Sequence, residues 1–285
     1  MSIDHVPAVP AAVQEFADRI PHPVALIGCR TTDASLDCCE YDLVVFAPGE
    51  DQVTCIDKHA IEIVHFSEPV RNYVVELGSM SIIKDSNRFT LSSAAADVSK
   101  KYKKGLAAAG KKSIVSSLFC QQKMVQSKNP VVAAMWLKIS AYEFVEGMLA
   151  LSGIRPMPLH ELEQIRQTSK MTEGVEVALE CIGTERATRP AISRSLEAIL
   201  ELKSKDHDKK LFAAKVEHLR QKSMLTDCYY YVGRVAANDL VKRTDQFHSR
   251  YEKLLQLALD LPSDRQFLEK MQKKLFRAAR VALRA

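Results

Sequence analysis

Three carboxylates stand where apolar strands ought to begin. Glu40 and Asp42 lead into the run Tyr41-Asp42-Leu43-Val44-Val45-Phe46, and Glu62 interrupts Ala60-Ile61-Glu62-Ile63-Val64-His65-Phe66. Successive side chains on a strand alternate between faces, so Glu40 and Asp42 point one way while Tyr41 and Leu43 point the other. Like charges held on one edge resist ionising together unless a cation lies between them. Mg²⁺, or Mn²⁺ in its place, takes oxygen ligands and usually shares some with substrate phosphates. If the second strand lies beside the first, Glu62 supplies a third carboxylate. Three such groups suffice for the two-ion arrangement that activates a hydroxyl and stabilises departing pyrophosphate.

A polyphosphate also needs a cradle. Gly28 closes the run Pro23-Val24-Ala25-Leu26-Ile27, where a residue without a side chain lets backbone N–H groups come close to a phosphate. A short helix starting after Cys29 would add a favourable N-terminal dipole, and Arg30 is placed to pair with a phosphate oxygen. Gly28, Cys29 and Arg30 are therefore the expected nucleotide-binding residues.

These residues must be held by strands, and the first ninety residues read that way. A helix is expected over 10–20, and strands over 23–28, 41–47, 52–56, 60–66 and 80–85. A helix is expected over 67–78, with Ser67 as N-cap and Pro69 in its first turn. From about residue 90 helical spacing takes over. One helix is expected to stop at Gly110, a second runs from there to about 126, and a third spans 129–153 between Asn129-Pro130 and Ser152-Gly153. Further helices follow, including one long run from Asp227 to Leu261. The fold class is α+β: a mixed sheet with flanking helices over 1–92, then an all-helical domain over 93–285. The segment 204–210 is the most linker-like piece of the second half.

In this order the residues resemble the nucleotidyltransferase superfamily, including the small and antibiotic-modifying members. Gly28-Cys29-Arg30 occupies the place of its glycine turn, Glu40-Tyr41-Asp42-Leu43 that of its paired acids, and Glu62 that of its third acid. The resemblance covers about residues 8–90 well and the helical half in outline. It implies metal-dependent transfer of a nucleoside monophosphate from a nucleoside triphosphate to an acceptor hydroxyl that the sequence does not name. It also implies a general base from the helical half, for which Glu143 and Glu146 are the expected residues. The chain departs from the family pattern in two places. Glu40 stands where Asp is usual, which moves the carboxylate by about 1.5 Å, one C–C bond. Cys29 replaces a serine, and a thiol is the weaker donor. Both departures fit the alternative of a catalytically degenerate nucleotide-binding or regulatory module, whose helical domain carries the interactions.

The 285 residues, 47% hydrophobic and 26% charged, describe an ordinary globular chain. A net charge of +5 suits an anionic ligand without identifying one. The seven cysteines include no C-x-x-C pair, so they suggest buried apolar thiols in a cytoplasmic protein rather than a zinc or disulfide framework. No leader peptide and no membrane span is expected; a homodimer is compatible with the composition. Lys100 to Lys104 and the stripe Lys273, Arg277, Arg280, Arg284 form basic surfaces open to RNA or an acidic partner, but aromatics do not alternate with these charges. Arg155…His160 and Arg243…His248 both fit the Arg-x4–6-His motif of helical ribonucleases, yet random placement would supply about one or two such matches.

Overall fold

The computed structural model describes residues 9–67, 72–85, 91–168, 172–203, 206–262 and 264–284. The chain is α+β, with a five-stranded mixed sheet near the N-terminus followed by a mostly helical region. It divides into two compact units, Met1–Gly105 and Leu106–Ala285. The division falls inside one helix, α2 (Leu91–Gln126).

In the first unit, α1 (Ala11–Arg19) precedes β1 (Val24–Ile27), β2 (Tyr41–Val45), β3 (Gln52–Ile56), β4 (His59–His65) and β5 (Ser81–Lys84). The strand order is β3-β4-β2-β1-β5. β1 lies antiparallel to both neighbours, while β2 and β4 run parallel. Parallel neighbours need a crossover, and here β3 provides it. The chain leaves β2, forms the edge strand β3, turns at Asp57 (φ +54°) and returns as β4 between β3 and β2.

Alternation along the strands divides their side chains between two faces. Leu26, Tyr41, Leu43, Val45, Ile61 and Ile63 face Val13 and Ala17 of α1. Ile27 and Val44 face Phe66, Leu77 and Val98, the last from the first turns of α2. Asp42 and Glu62 belong by register to this second face.

Three expectations change, two of them in the first half of the chain. In the segment 67–78, residues 68–71 lie outside the described residues, and 74–79 form turns rather than a helix. Val74 and Val75 are β-branched, poor helix formers. Gly78 lies under the Tyr102 ring, where a Cβ would come within 1.9 Å of a ring carbon. The second change concerns Gly110, which does not end a helix. α2 continues through it to Gln126, because this glycine serves packing between helices. A Cβ on Gly110 would lie 2.9 Å from the Gly147 carbonyl oxygen, and one on Gly147 would lie 3.0 Å from the Gly110 carbonyl oxygen.

In the second unit, α3 (Pro130–Leu151) is buried on all sides, as its apolar circumference requires. The Asn129 side chain caps it by accepting from Val131 and Val132 N–H, with Pro130 in its first turn. Around α3 pack α4 (Glu161–Gln167), α5 (Glu173–Ile182), α8 (Leu225–Leu240), α10 (Glu252–Leu259) and α11 (Arg265–Arg284); α6 (Arg189–Leu202) and α7 (Asp206–Gln221) join through α8 and α10. The run expected to be one helix from Asp227 to Leu261 is three. Thr244 caps the short α9 (Asp245–Arg250), and Tyr251 leaves helical geometry before α10. No helix among the described residues is long and apolar enough to cross a membrane.

Candidate metal and nucleotide site

β1, β2 and β4 carry the acidic residues to one end of the sheet, where β1 finishes and the other two begin. Asp42 lies opposite Ile27 on one side and opposite Glu62 on the other. Glu40 stands just outside β2 and, two residues ahead of Asp42, projects the same way. One oxygen from each of Glu40, Asp42 and Glu62 lies within 4.8 Å of the other two. All three residues are half-buried. The donor set is all oxygen and all anionic, the set a hard divalent cation prefers. Oxygens bound to a single Mg²⁺ stand at most about 4.2 Å apart, twice the metal–oxygen length. Separations within 4.8 Å are compatible with one ion, or with two ions and bridging carboxylates.

Gly28 is bound to this arrangement by shape. Its backbone is left-handed (φ +78°), and a Cβ there would lie 1.8 Å from Asp42 Oδ2. Glycine is thus required twice, by conformation and by the carboxylate that occupies the side-chain position.

The loop after Gly28 is internally braced. It opens with a single 3₁₀ turn over Cys29–Thr31, too short to contribute much of a helix dipole. The Thr31 hydroxyl donates to the Gly28 carbonyl oxygen (2.8 Å) and lies 2.9 Å from the Ser79 hydroxyl. Arg30 does not project as an isolated cation. Its Nε donates to the Cys39 carbonyl oxygen at 3.1 Å, its Nη2 donates to the same oxygen at 2.6 Å and to the Asp37 carbonyl oxygen at 3.2 Å, and the guanidinium lies over the Tyr41 ring. Asp33 and Asp37, which would repel a triphosphate, face solvent. The Cys29 thiol hydrogen-bonds Cys39. That bond, burial and the nearby Asp42 and Glu40 push it far above the usual thiol range. Cys29 is therefore a protonated S–H, a weak donor rather than a nucleophile.

Glu143 and Glu146 lie in the second unit, on α3. There both are engaged by Arg234, a buried residue of α8. Arg234 Nη1 meets Glu143 Oε1 at 3.3 Å, Nη2 meets Glu146 Oε2, and Nε meets Glu161 Oε1 at 3.3 Å. Ser113 donates to Glu146, and the Tyr230 hydroxyl donates to Glu161. Both carboxylates already hold a buried guanidinium, a geometry that fits a structural role better than proton abstraction. Arg234 and Glu161 were missed in the sequence. The available signal was an arginine inside the apolar stretch Tyr229-Tyr230-Tyr231-Val232-Gly233-Arg234-Val235-Ala236-Ala237, which demands acidic partners if buried.

The two Arg-x4-His spacings do not present a histidine to solvent. His248 is fully buried and meets the Leu240 carbonyl oxygen at 3.0 Å, while Arg243 donates to the Leu202 carbonyl oxygen. His160 is 5% exposed at the start of α4. Lys100, Lys101, Lys103 and Lys104 are exposed, as are Lys273, Arg277, Arg280 and Arg284. No protein-family model, no curated protein and no solved structure matches the chain.

Proposed function

We propose that the first unit is a metal-dependent nucleotidyltransferase domain, which moves a nucleoside monophosphate from a nucleoside triphosphate to an acceptor hydroxyl. The observation that carries this reading is the convergence of Glu40, Asp42 and Glu62 beside Gly28. Glu40, Asp42 and Glu62 would hold Mg²⁺ or Mn²⁺, which supplies charge neutralisation for the triphosphate and acidifies the acceptor hydroxyl. The backbone at Gly28 and Cys29 holds the phosphate tail, with Asp42 fixed over the same turn. In this reading strand order would separate the two substrates. Glu62, on β4, stands one strand beyond Asp42 from Gly28, so it faces the acceptor side. In this reading a Glu62 carboxylate oxygen would accept the acceptor's proton as the α-phosphate is attacked and pyrophosphate leaves.

The test is Mn²⁺ binding by electron paramagnetic resonance, with and without a non-hydrolysable triphosphate, followed by assay of pyrophosphate release across the four nucleoside triphosphates. Binding that is lost in Asp42→Asn and Glu62→Gln, together with pyrophosphate release, supports transfer. Failure of Mn²⁺ to bind the intact protein rejects the reading.

A second reading is a nucleotide-binding module without turnover. The specific observations that favour it are Glu40 in place of the shorter acid and the engagement of Arg30 with its own loop. It predicts tight metal-nucleotide binding and no pyrophosphate release with any acceptor.

A further inference from the structure

The segment 243–253 builds a second surface of a different chemistry within the helical unit. His248 is its anchor. The ring is fully buried, packs edge-on against Trp136 and is fixed to the Leu240 carbonyl oxygen. With that face of α9 turned inward, Phe247, Arg250 and Tyr251 are left on its outer side. They line a cleft of about 640 Å³ together with Arg243, Lys253 and the end of α6.

Inside this cleft the Phe247 and Tyr251 rings lie 4.6 Å apart between centroids, tilted by 40°. The Arg243 guanidinium stands 5.3 Å from the Phe247 centroid, and that of Arg250 stands 5.5 Å from the Tyr251 centroid. Tyr251 is 39% exposed. Among the described residues, Arg243, Arg250 and Lys253 enter no ion pair. Two acids also line the wall, Glu201 and Glu252. Glu252 Oε1 is turned toward Asn129, whose side-chain amide donates to it. The cleft thus offers exposed π surface with three cations against two acids around it, the combination that receives a base and its phosphate together. Phosphate alone would make no use of the rings, and an apolar ligand would make no use of the cations.

We propose that this cleft binds a nucleotide unit, the base against Phe247 and Tyr251 and the phosphate on Arg243, Arg250 and Lys253. The same chemistry is presented by a single-stranded nucleic acid and by a free nucleotide, and the experiment separates these sources. The site is independent of the carboxylates on the sheet, so the measurement is made in EDTA, where binding at Glu40, Asp42 and Glu62 does not contribute.

Fluorescence anisotropy of the full chain with a labelled single strand of about twelve nucleotides, a length within the usual single-strand site sizes, reads the affinity. Tyr251→Leu and Phe247→Leu each weaken binding by about tenfold, the usual loss of one stacked base. Arg250→Glu with Lys253→Glu reduces the salt slope by roughly 0.7 for each phosphate that is no longer neutralised. Lys222→Glu, at an exposed residue just after α7, reverses a charge elsewhere on the unit and leaves affinity within about twofold. If AMP displaces the strand at an equal nucleotide concentration, the occupant is a free nucleotide; if only a strand competes, it is a single-stranded nucleic acid. A photo-crosslink from a 4-thiouridine strand to the intact protein, mapped by mass spectrometry, is expected within 243–254 and needs no variant to fold. Crosslinks confined to other segments, indifference to both ring substitutions, or equal competition by inorganic polyphosphate would each overturn the proposal.

Discussion

Gly28 and Asp42 occupy one space: the carboxylate oxygen of Asp42 lies where the first side-chain carbon of any other residue at position 28 would be. The turn and the acid therefore cannot vary separately. Gly28→Ala is expected to cost about 1–3 kcal/mol, since alanine is strained at φ +78° and must displace Asp42. Chemical denaturation reads the cost, and Mn²⁺ titration is expected to show loss of binding. Adding Asp42→Ser to Gly28→Ala should return part of the stability, so that the two changes are sub-additive. Full additivity would show that the contact does not constrain the pair.

If the clustered carboxylates hold a divalent ion, as proposed, stability should depend on that ion. Mg²⁺ at about 100 times its dissociation constant should stabilise the wild type by about 2.7 kcal/mol, read as a rise in Tm. In Asp42→Asn or Glu62→Gln the rise should shrink or vanish, while stability without metal stays level or increases because like charges have been removed. A rise equal to that of the wild type in both variants would place the ion elsewhere.

Two buried groups of the helical unit give opposing pH dependences. Burial, together with the neighbouring Glu143, pushes the Glu161 carboxyl from its ordinary 4.5 up to about 8, although the Tyr230 hydroxyl opposes this. The folded state thus holds a proton that the unfolded state has lost, and stability falls as pH rises from about 4.5 to about 8. Burial pushes Lys138 from 10.5 down to about 7, with Arg186 adding to the effect. There the unfolded state holds the extra proton, and stability rises with pH between about 7 and about 10.5. Glu161→Gln is expected to flatten the acid side of the stability profile and Lys138→Met the alkaline side. Denaturant midpoints measured across pH 4–10, at about one-unit steps, check both slopes.

The contact between Gly110 and Gly147 should tolerate no side chain. Gly110→Ala favours the helix by nearly 1 kcal/mol in propensity, but its Cβ meets backbone, Gly147 O and Leu151 N, both at 2.9 Å. Because backbone cannot rotate away, a net loss of about 1–3 kcal/mol is expected. Urea denaturation of the full chain measures it, and a stabilised Gly110→Ala would show that the helices separate without cost.

Much of the site was legible because it depends on a period of two. Glu40 and Asp42 had to share a side of their strand, and the run around Glu62 had to be a strand of similar burial. What the sequence left open was adjacency, and the parallel pairing of β2 with β4 decides it by placing Asp42 against Glu62. Gly110 was misread because a glycine that ends a helix and a glycine that admits a neighbouring helix have the same local sequence; only the approach of Gly147 distinguishes them. Arg30 was read as a cation for phosphate, but its acceptors are carbonyls seven and nine residues later, which no residue-type pattern encodes. Glu143 and Glu146 were expected as general bases because the resemblance implies one from the helical half. Their partner, Arg234, is 88 residues or more away in sequence. The cleft at 243–253 was hidden because its segment read as the middle of a continuous helix, in which Tyr251 would not turn outward.

The bracing of the loop after Gly28 has a kinetic meaning. Its carbonyls are already engaged by Arg30, and its hydroxyls are tied to Gly28 and Ser79. An arriving polyphosphate would meet a rigid mould and not a disordered flap awaiting collapse. Capture should then proceed in a single step whose speed follows encounter. Discrimination between triphosphates would rest on how well each fits, with little ordering of the chain to be done at the moment of binding.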